Sequence, residues 1–297
     1  MKTLEGKPRF RTSPYLHQKA CFIVGARLKR AVLHLDMGTG KTKIMLDVFR
    51  YHKSLGHVKR CLVLAPTLSA IESWRLQRWE HGKDLRFLIL GDDVDREAIL
   101  NKPSDLVVAT YMGWLSLLCR EVSKGKKEWV VDEERVRSLA SKFDMVVYDE
   151  STFLKNHRSL SFKVAKIITE VIPYRYGLTG TPVGKTPHDL WAQFYAVDAG
   201  ETLGRTLGIF RQAFFTSKVN YWGGYEYTFI SRMMSTLQRM IGNIAVSYSA
   251  DECLDLPAQV FVPKPITFAP DVWPYYQKLV DKVKDADTIE IKNVFIR

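Results

Sequence analysis

Two short stretches of the sequence carry residues that are suited to binding and cleaving a phosphate chain. The first, "DMGTGKT" at 36–42, follows an apolar run and precedes a helix-length amphipathic run. Gly38 and Gly40 allow backbone N–H groups to approach phosphate oxygens, and the N-terminus of the following helix adds positive charge. The amine of Lys41 would reach the β- and γ-phosphates, and the hydroxyl of Thr42 would bind Mg²⁺. This stretch predicts a nucleoside triphosphate site.

The phosphate loop departs from the full pattern at one position. A further glycine is expected five residues before Gly40, where this chain has Leu35. A bare GxGKT is also compatible with a simple turn between a strand and a helix. The immediate succession of strand, glycine loop and helix is what favours phosphate binding.

The second stretch, "FDMVVYDESTFLKNH" at 143–157, places two carboxylates directly after an apolar strand. A buried charged carboxylate is costly unless something pairs with it. Mg²⁺ typically takes one or two protein carboxylates and keeps several waters, so Asp149 can serve as its ligand, directly or through water. Glu150 can then accept a proton from the water that attacks the γ-phosphate, or orient that water. The alternative is an acidic strand end that caps the next helix.

The elements that must position these residues alternate along the first 180 residues. Six β-branched or apolar runs predict strands at 31–35, 59–65, 86–90, 105–110, 144–149 and 174–179. Amphipathic runs predict helices near 41–53, 68–80, 94–101, 112–122 and 159–171. This alternation indicates an α/β fold with a mostly parallel sheet covered by helices on both faces. Ligands of such sheets bind at the carboxyl ends of the strands.

Composition limits the class of protein and the compartment. The 297 residues carry a formal charge of +12, which suits a partner with a phosphate backbone, although a basic protein without such a partner is an equal alternative. The four cysteines form no CxxC pair, which argues against a zinc site and a disulfide framework, and three of them are expected in the core. With no run of membrane-spanning length and no signal peptide, an intracellular, soluble protein is predicted.

Six motifs in this order resemble the first RecA-like lobe of superfamily 2 helicase-like ATPases. They are Gln18, "DMGTGKT" (36–42), "LVLAPT" (62–67), "ATYMGW" (109–114), "YDESTFLKN" (148–156) and "GLTGTP" (177–182). The DES-x-x-LKN form and the later "FRQAFF" are similar to the Swi/Snf branch, which translocates on double-stranded DNA. The resemblance covers about residues 14–270. It implies an ATP- and Mg²⁺-dependent motor acting on duplex DNA, mainly through phosphate contacts.

The resemblance implies a role for each matching residue. The ATP-binding set is Gln18, Met37, Gly38, Thr39, Gly40, Lys41 and Thr42, with Gln18 recognising adenine. Lys41, Asp149 and Glu150 would be catalytic, and Thr42 and Asp149 would bind the metal. The implied nucleic-acid contacts are Pro66, Thr67, Thr110, Tyr111, Lys155 and Asn156. Thr179, Gly180 and Thr181 would couple the nucleotide state to the grip on DNA. The structural alternatives are a helix-surface amide for Gln18, turns after strands, and a solvated loop at 155–156.

The sequence departs from the Swi/Snf pattern in three ways. Thr152 stands where the branch usually has histidine, and "NIAVSYSADECLDLP" lacks the frequent Arg–Arg pair. Nothing after residue 270 resembles the second lobe, so this chain is expected to be one lobe of a larger protein. The expected organisation is a RecA-like ATP-binding lobe at 1–182, a mainly helical extension at 183–256, and a linker with the start of a second lobe at 257–297.

Other functions remain open on the same residues. A strand-separating DNA or RNA helicase would share the phosphate loop, and a non-hydrolysing nucleic-acid-binding module would suit a chain without its second lobe. The aromatic stretch "NYWGGYEYTF" at 220–229 predicts a two-residue β-hairpin with aromatic cross-strand pairs, or else a surface that stacks on bases. The short alternating chain favours a bacterial or viral protein, the latter in the host cytoplasm, over a nuclear one.

Overall fold

The structure, a computed structural model, describes residues 4–91, 95–121, 129–180, 187–253 and 271–285, with the single positions 262, 264 and 269. The chain divides into two compact units, Met1–Asp255 and Leu256–Arg297. The described strands and all the described helices but the last lie in the first unit.

The strands of the described residues, numbered in chain order, are β1 (Arg30–Leu35), β2 (Cys61–Ala65), β3 (Phe87–Leu90), β4 (Leu106–Thr110), β5 (Cys119–Glu121), β6 (Trp129–Val131), β7 (Met145–Asp149), β8 (Tyr174–Thr179), β9 (Phe215–Val219), β10 (Tyr225–Phe229) and β11 (Ala245–Tyr248). The helices are α1 (Leu16–Arg27), α2 (Lys41–Ser54), α3 (Leu68–His81), α4 (Arg96–Asn101), α5 (Tyr111–Leu118), α6 (Glu133–Ala140), α7 (Leu160–Val171), α8 (Leu190–Asp198), α9 (Leu207–Phe214), α10 (Met234–Ile241), α11 (Ala250–Cys253) and α12 (Trp273–Asp285).

Seven strands form one parallel sheet in the order β11-β1-β8-β7-β2-β4-β3. The predicted RecA-like α/β fold is confirmed, and all six predicted strands belong to this sheet. The five predicted helices are present too. The largest difference is α5, which ends at Leu118 because Cys119 begins β5.

Successive residues of a central strand face opposite helical layers. In β2, Cys61, Val63 and Ala65 pack with α1, α2 and α3, whereas Leu62 and Leu64 pack with α5, α6 and α7. Because both faces of the sheet are covered, the strand is apolar throughout instead of alternating with polar residues. The uninterrupted apolar runs in the sequence have this physical origin.

The four cysteines are free thiols, and Cys21 and Cys61 are buried as expected. Cys119, also expected in the core, is only half-buried, because it lies in the short hairpin of β5 and β6 outside the main sheet.

The described segment from α8 to β11 packs against the sheet through an aromatic cluster. Trp191, Phe194, Phe210 and Phe215 are buried together and contact the β1 side through Val32. The extension expected to be mainly helical also contains the antiparallel hairpin of β9 and β10, and the sheet strand β11. Strand β11 was not predicted, because it is four residues long and its pairing partner β1 lies some 200 positions earlier.

The predicted hairpin is present, but its loop is longer than two residues. Phe215 and Phe229 form a cross-strand aromatic pair with ring centroids 5.5 Å apart. The strands end at Val219 and Tyr225, so residues 220–224 form the loop. Gly223, which has a φ of 75°, is the position in this loop that requires left-handed backbone.

The buried side chain of Arg175 links β8 to the neighbouring helices by hydrogen bonds. The Arg175 guanidinium donates from Nε to the Val197 carbonyl at 2.6 Å and from Nη1 to the Ile172 and Thr169 carbonyls at 2.5 and 3.2 Å. Burial lowers the pKa of this group. The hydrogen bonds to three carbonyl groups are what allows the charge to be buried here.

Replacing Arg175 with methionine is expected to lower the free energy of unfolding by at least about 2 kcal/mol, since each buried acceptor left without its donor costs roughly 1–3 kcal/mol. Urea titration measures this change. Arg137→Met is the matched control, because Arg137 pairs with Glu133 and Glu170 at the surface and should change stability much less. Equal changes in the two variants would contradict the role given to Arg175.

Candidate functional site

The strand order brings the predicted motifs to one edge of the sheet. The phosphate loop follows β1, the acidic pair ends and follows β7, and β8 lies between these two strands. A cleft of about 700 Å³ at this edge is lined by residues from the phosphate loop, from α3 and from the acidic pair. The carboxyl ends of the strands therefore form the candidate site, as the sequence predicts.

Left-handed backbone shapes the phosphate loop. Gly38 and Gly40 have φ values of 82° and 90°, which residues with a Cβ rarely adopt. A Cβ on Gly40 would also lie 2.3 Å from Nε2 of Gln18. Helix α2 begins at Lys41, directly after Gly40, so its N-terminal N–H groups face the loop. Met37 is exposed at the rim of the cleft.

The Lys41 ammonium lies between the loop and the acidic pair. Its Nζ donates to the carbonyl oxygens of Leu35 and Asp36 at 2.7 and 3.3 Å. Burial lowers the pKa of Lys41, and the carboxylates of Glu150 and Asp149 oppose that effect. The cation predicted to bind phosphate is thus held by backbone carbonyls at the base of the loop and lies within the field of both carboxylates.

Gln18 is buried against the phosphate loop, which excludes the helix-surface alternative. Its side chain is 5% exposed. The amide Nε2 donates to the Thr39 carbonyl at 3.0 Å, and Oε1 accepts from the Tyr15 N–H at 3.1 Å. His17 Nε2 contacts the same Thr39 carbonyl at 2.8 Å. A glutamine amide has two donor hydrogens and two acceptor lone pairs, so these bonds leave one of each for a base.

The backbone at the acidic pair is strained. Glu150 has φ 53° and ψ 65°, the left-handed region, where a non-glycine residue costs of order 1–3 kcal/mol. Its Oε1 accepts hydrogen bonds from the hydroxyls of Thr152, at 2.9 Å, and Thr179, at 2.6 Å. The Glu150 side chain does not cap the 3-10 helix Ser151–Leu154 that follows. The helix-capping alternative for this carboxylate is therefore wrong.

Thr152 and Thr179 reach Glu150 for different reasons. Thr152 lies two positions along the same turn, at the point where the Swi/Snf pattern usually has histidine. Thr179 ends the neighbouring strand, where Leu178 pairs with Asp149. Gly180 continues past the phosphate loop, and a Cβ there would lie 3.4 Å from the Leu35 carbonyl. Thr181, the third residue of the predicted coupling motif, lies outside the described residues.

Asp149 has a partner that sequence analysis missed. The indole Nε1 of Trp74, a buried residue of α3, donates to Asp149 Oδ2 at 2.8 Å. Burial raises the pKa of Asp149, while this hydrogen bond and the charge of Lys41 oppose the increase. In the sequence, Trp74 looks like an ordinary apolar residue of a helix, and nothing in the pattern indicates a hydrogen bond to Asp149. The indole holds one carboxylate oxygen in a fixed orientation.

Replacing Trp74 with phenylalanine is expected to shift the acid limb of the pH–rate profile to higher pH. The bond from Trp74 favours ionised Asp149, so its loss raises the pKa of a carboxylate that must be charged to bind a metal. Activity would then be lost at a higher pH than in the wild type as the solution is acidified. The pH dependence of kcat/KM measures the shift.

Trp114→Phe provides the matched control. Trp114 is as buried as Trp74, but its Nε1 has no hydrogen-bond partner among the residues that the structure describes. This variant removes the same ring volume without changing the Asp149 carboxylate. An unshifted profile for Trp74→Phe, or the same shift for both variants, would contradict the positioning role.

The predicted nucleic-acid loops lie at the same sheet edge, and two of their threonines also cap helices. The Thr67 hydroxyl accepts from the Ala70 N–H at 3.2 Å, and the Thr110 hydroxyl accepts from the Gly113 N–H at 2.9 Å. Pro66, between β2 and α3, lines the cleft. The turn-chemistry interpretation of both threonines is thus confirmed, because each hydroxyl caps the first turn of the helix that follows it.

The Tyr111 side chain does not face outward. It is buried, and its hydroxyl donates to the Asp149 carbonyl at 3.1 Å. Its ring stacks on that of Phe153, with centroids 5.2 Å apart and planes 6° apart, and Phe153 is the exposed member of the pair. A nucleic-acid contact from Tyr111 would have to come from its backbone. Lys155 and Asn156 are exposed.

The donor set at the cleft fits Mg²⁺. Thr42 and Asp149 both line the cleft, and the Asp149 carboxylate is fixed by Trp74. One hydroxyl and one carboxylate suit an ion that takes few protein ligands and keeps its waters. Across the described ranges, the cleft included, no cluster of three or more His, Cys, Asp or Glu side chains is arranged to hold a metal ion. Nor does any helix of those ranges have the length and apolar character needed to cross a membrane.

Comparison with known proteins identifies the family of the chain. A family model described as the SNF2-related domain matches residues 17–293. Protein p41 of Acyrthosiphon pisum secondary endosymbiont phage 1 is 29% identical over 215 residues, covering 69% of this chain and 43% of its own length. The ISWI chromatin-remodeling complex ATPase ISW1 of Saccharomyces cerevisiae is 26% identical over 190 residues, covering 60% of this chain and 15% of the yeast protein. The chain thus spans less than half the length of both relatives.

Solved structures share the fold. The Sulfolobus solfataricus SWI2/SNF2 ATPase core in complex with dsDNA is 21% identical and has a TM-score of 0.62, covering 99% of this chain and 58% of that one. The family match includes the phosphate loop, the acidic pair and the β8 motif, which the fold brings together at one cleft. The chain belongs to the SNF2-related domain family.

Proposed function

We propose that this chain is the first RecA-like motor lobe of an ATP- and Mg²⁺-dependent translocase that acts on duplex DNA. The observation that carries the proposal is the convergence of Lys41, Asp149 and Glu150 on one cleft, with Thr179 hydrogen-bonded to Glu150. The phosphate-loop cation, a metal-binding carboxylate and a carboxylate base are the parts that phosphoryl transfer to water requires.

In this proposal each residue has a defined task. Lys41 and the N–H groups of α2 hold the β- and γ-phosphates, and Gln18 contacts adenine with the remaining atoms of its amide. Thr42 and Asp149 hold Mg²⁺, which would supply positive charge next to the phosphates when bound. Glu150 takes the proton of the attacking water, and its two threonine hydrogen bonds keep its carboxylate directed into the cleft.

Coupling to nucleic acid would run through β8. If hydrolysis changes the hydrogen bonds of Glu150, the bond from the Thr179 hydroxyl changes with them. The strand of Thr179 continues into Gly180, which lies beside the phosphate loop. DNA phosphates would bind at the loops of 66–67, 110–111 and 155–156, aided by the charge of +12. A relative solved with dsDNA and a relative that is a chromatin-remodeling ATPase support a duplex substrate.

A second RecA-like lobe would complete the site. Phosphoryl transfer commonly relies on an arginine supplied from outside the phosphate-loop lobe. The relatives are more than twice as long as the segments they share with this chain, which leaves room in them for such a lobe. The phage relative is compatible with the predicted placement in a bacterial or virus-infected cell.

Steady-state ATP hydrolysis tests the proposal. The rate is measured with no nucleic acid, single-stranded DNA, duplex DNA and RNA, each with and without Mg²⁺. Stimulation greatest with duplex DNA supports the translocase. Greater stimulation by single strands or RNA would favour a strand-separating helicase. No hydrolysis under any of these conditions would favour a non-hydrolysing binding module.

Replacing Lys155 with alanine is expected to weaken duplex binding equally for all sequences and to reduce the slope of log K against log salt by about one, as loss of one phosphate contact should. Fluorescence anisotropy over a salt series measures both. Lys142→Ala is the matched control, since Lys142 is a partly exposed lysine that bonds Asn101 in another part of the fold. An unchanged slope would remove Lys155 from the DNA contacts.

A further inference from the structure

Four aromatic side chains run along the β9–β10 hairpin to its tip. They are Tyr227, Tyr225, Tyr221 and Trp222, here called the aromatic strip. Tyr221 and Trp222, in the loop, are 94% and 88% exposed, and Tyr225 is largely exposed too. Burying a large aromatic ring away from water lowers the free energy, so rings this exposed at adjacent positions indicate a contact surface.

The loop that carries the two most exposed rings is internally braced. The Asn220 N–H donates to the Gly224 carbonyl at 2.8 Å, and its carbonyl accepts from the Gly223 N–H at 3.1 Å. Its side-chain Oδ1 accepts from the N–H groups of Trp222 and Gly224 at 3.2 and 2.8 Å. These bonds hold the loop in one shape, which reduces the entropy lost when the rings bind a ligand.

The base of the hairpin is anchored in the core. Phe215 is buried, and the Phe215–Phe229 pair joins the first strand to the second. Tyr227, two residues before Phe229, makes a cation–π contact, with the Arg211 guanidinium 4.2 Å from its ring centroid. Arg211 Nε also contacts His188 Nε2 at 2.9 Å. The aromatic strip therefore projects from a fixed base that includes a stacked cation.

The strip is continuous with the loop proposed to hold DNA phosphates. The rings of His188 and Tyr227 have centroids 6.4 Å apart, and those of His188 and His157 are also 6.4 Å apart. His157 directly follows Lys155 and Asn156, and Arg158 follows it. Burial and then the charge of Arg211 lower the pKa of both histidines. The local positive charge therefore comes from Lys155, Arg158 and Arg211, which outnumber the nearby carboxylates of Asp189 and Glu226.

We propose that the aromatic strip stacks on unpaired nucleobases of a single strand leaving the duplex held by the motor lobe. The proposal rests on the proposed DNA-binding function and adds a second site to it. Rigid aromatic rings next to arginine and lysine match the way proteins bind single strands, where rings stack on bases and cations hold the phosphates. A second copy of this chain is a poorer occupant, because two surfaces of a +12 protein repel each other.

Equilibrium binding without ATP tests the aromatic strip separately from hydrolysis. Three DNA molecules with one identical duplex are compared by anisotropy: a blunt duplex, a fork with two single-stranded arms, and the same fork with abasic arms. The wild-type chain is expected to bind the fork at least about fivefold more tightly than the abasic fork, the loss typical of one stacked base. Trp222→Ala should bind both forks equally and leave the blunt-duplex affinity unchanged.

Trp79→Ala is the matched control. Trp79 is also an exposed tryptophan beside cations, with Arg78 at 5.2 Å and Lys83 at 5.8 Å from its ring, but it lies on α3 outside the strip. This variant should keep the full preference for the fork with bases. Because Trp222 is so exposed, its removal should leave the unfolding transition unchanged, which rules out misfolding as the cause of any loss.

Each other outcome has a definite meaning. Equal wild-type affinity for the two forks, or a preference that survives in Trp222→Ala, would overturn base stacking by the strip. Self-association in sedimentation that Trp222→Ala abolishes, without any fork preference, would assign the strip to a protein contact and also overturn it. A fork preference without duplex-stimulated ATP hydrolysis would support the strip and contradict the proposed motor.

Discussion

Replacing Glu150 with glutamine is expected to reduce the rate of ATP hydrolysis by about 10²- to 10⁴-fold, the range typical for loss of a general base. The affinity for ATP should stay within a few-fold of the wild-type value. Single-turnover hydrolysis measures the chemical step, and titration with a fluorescent ATP analogue measures binding.

The hydrogen bonds at Glu150 explain why the hydrolysis rate should fall while the affinity for ATP stays nearly unchanged. Its Oε1 only accepts, from Thr152 and Thr179, and the carbonyl oxygen of a glutamine can accept the same two bonds. The side chain therefore keeps its position and its support for the strained backbone, but it no longer takes a proton from water. The loss is chemical, and the cleft remains formed.

Glu170→Gln is the matched control, since Glu170 is an exposed carboxylate that pairs with Arg137 on α6. It should hydrolyse ATP at the wild-type rate. Thr179→Val adds a graded comparison, because it removes one of the two donors to Glu150 and should cost less than the glutamine variant. Hydrolysis by Glu150→Gln within twofold of wild type would show that another group activates the water.

Replacing Lys41 with alanine is expected to reduce both the affinity for ATP and the rate of hydrolysis, the latter by about 10²- to 10³-fold, the loss typical for one donor that stabilises transition-state charge. The ammonium is the charged group placed between the phosphate loop and the acidic pair. Its removal takes away attraction for phosphate in the ground state and in the transition state.

Two further variants sharpen this test. Lys41→Arg keeps the charge but carries a planar guanidinium, which does not reproduce the compact contacts to the Leu35 and Asp36 carbonyls, so it should also be impaired. Lys166→Ala removes an exposed lysine on α7 that is not among the residues lining the cleft, and it should behave as wild type. Unchanged ATP affinity in Lys41→Ala would contradict the phosphate-binding role.

The proposed DNA contacts and the aromatic strip divide the recognition of DNA into two parts. The loops at the sheet edge would bind phosphates and carry no sequence information. The strip would detect a structural feature, the presence of unpaired bases. A motor lobe with both would be directed to places where duplex and single strand meet, and the fork experiment measures that preference directly.

Local sequence determined the elements and the central chemistry. The phosphate loop, the acidic pair and their flanking strands each depend on a few consecutive residues. The conformational freedom of glycine, the apolar runs and the adjacent carboxylates all act over short distances along the chain. The alternation of strands and helices was sufficient to predict the parallel sheet. The confirmed strands and helices are those whose patterns are continuous in sequence.

Tertiary structure alone decided which side chains meet. The placement of β8 between β1 and β7 brings Thr179 to Glu150, and packing of α3 brings Trp74 to Asp149 from 75 positions away. Burial of Tyr111 and the pairing of β11 with β1 likewise depend on residues distant in sequence. Strand order and burial arise from long-range packing, which no local pattern encodes. The sequence therefore determined the reactive groups, and the fold determined what holds them in place.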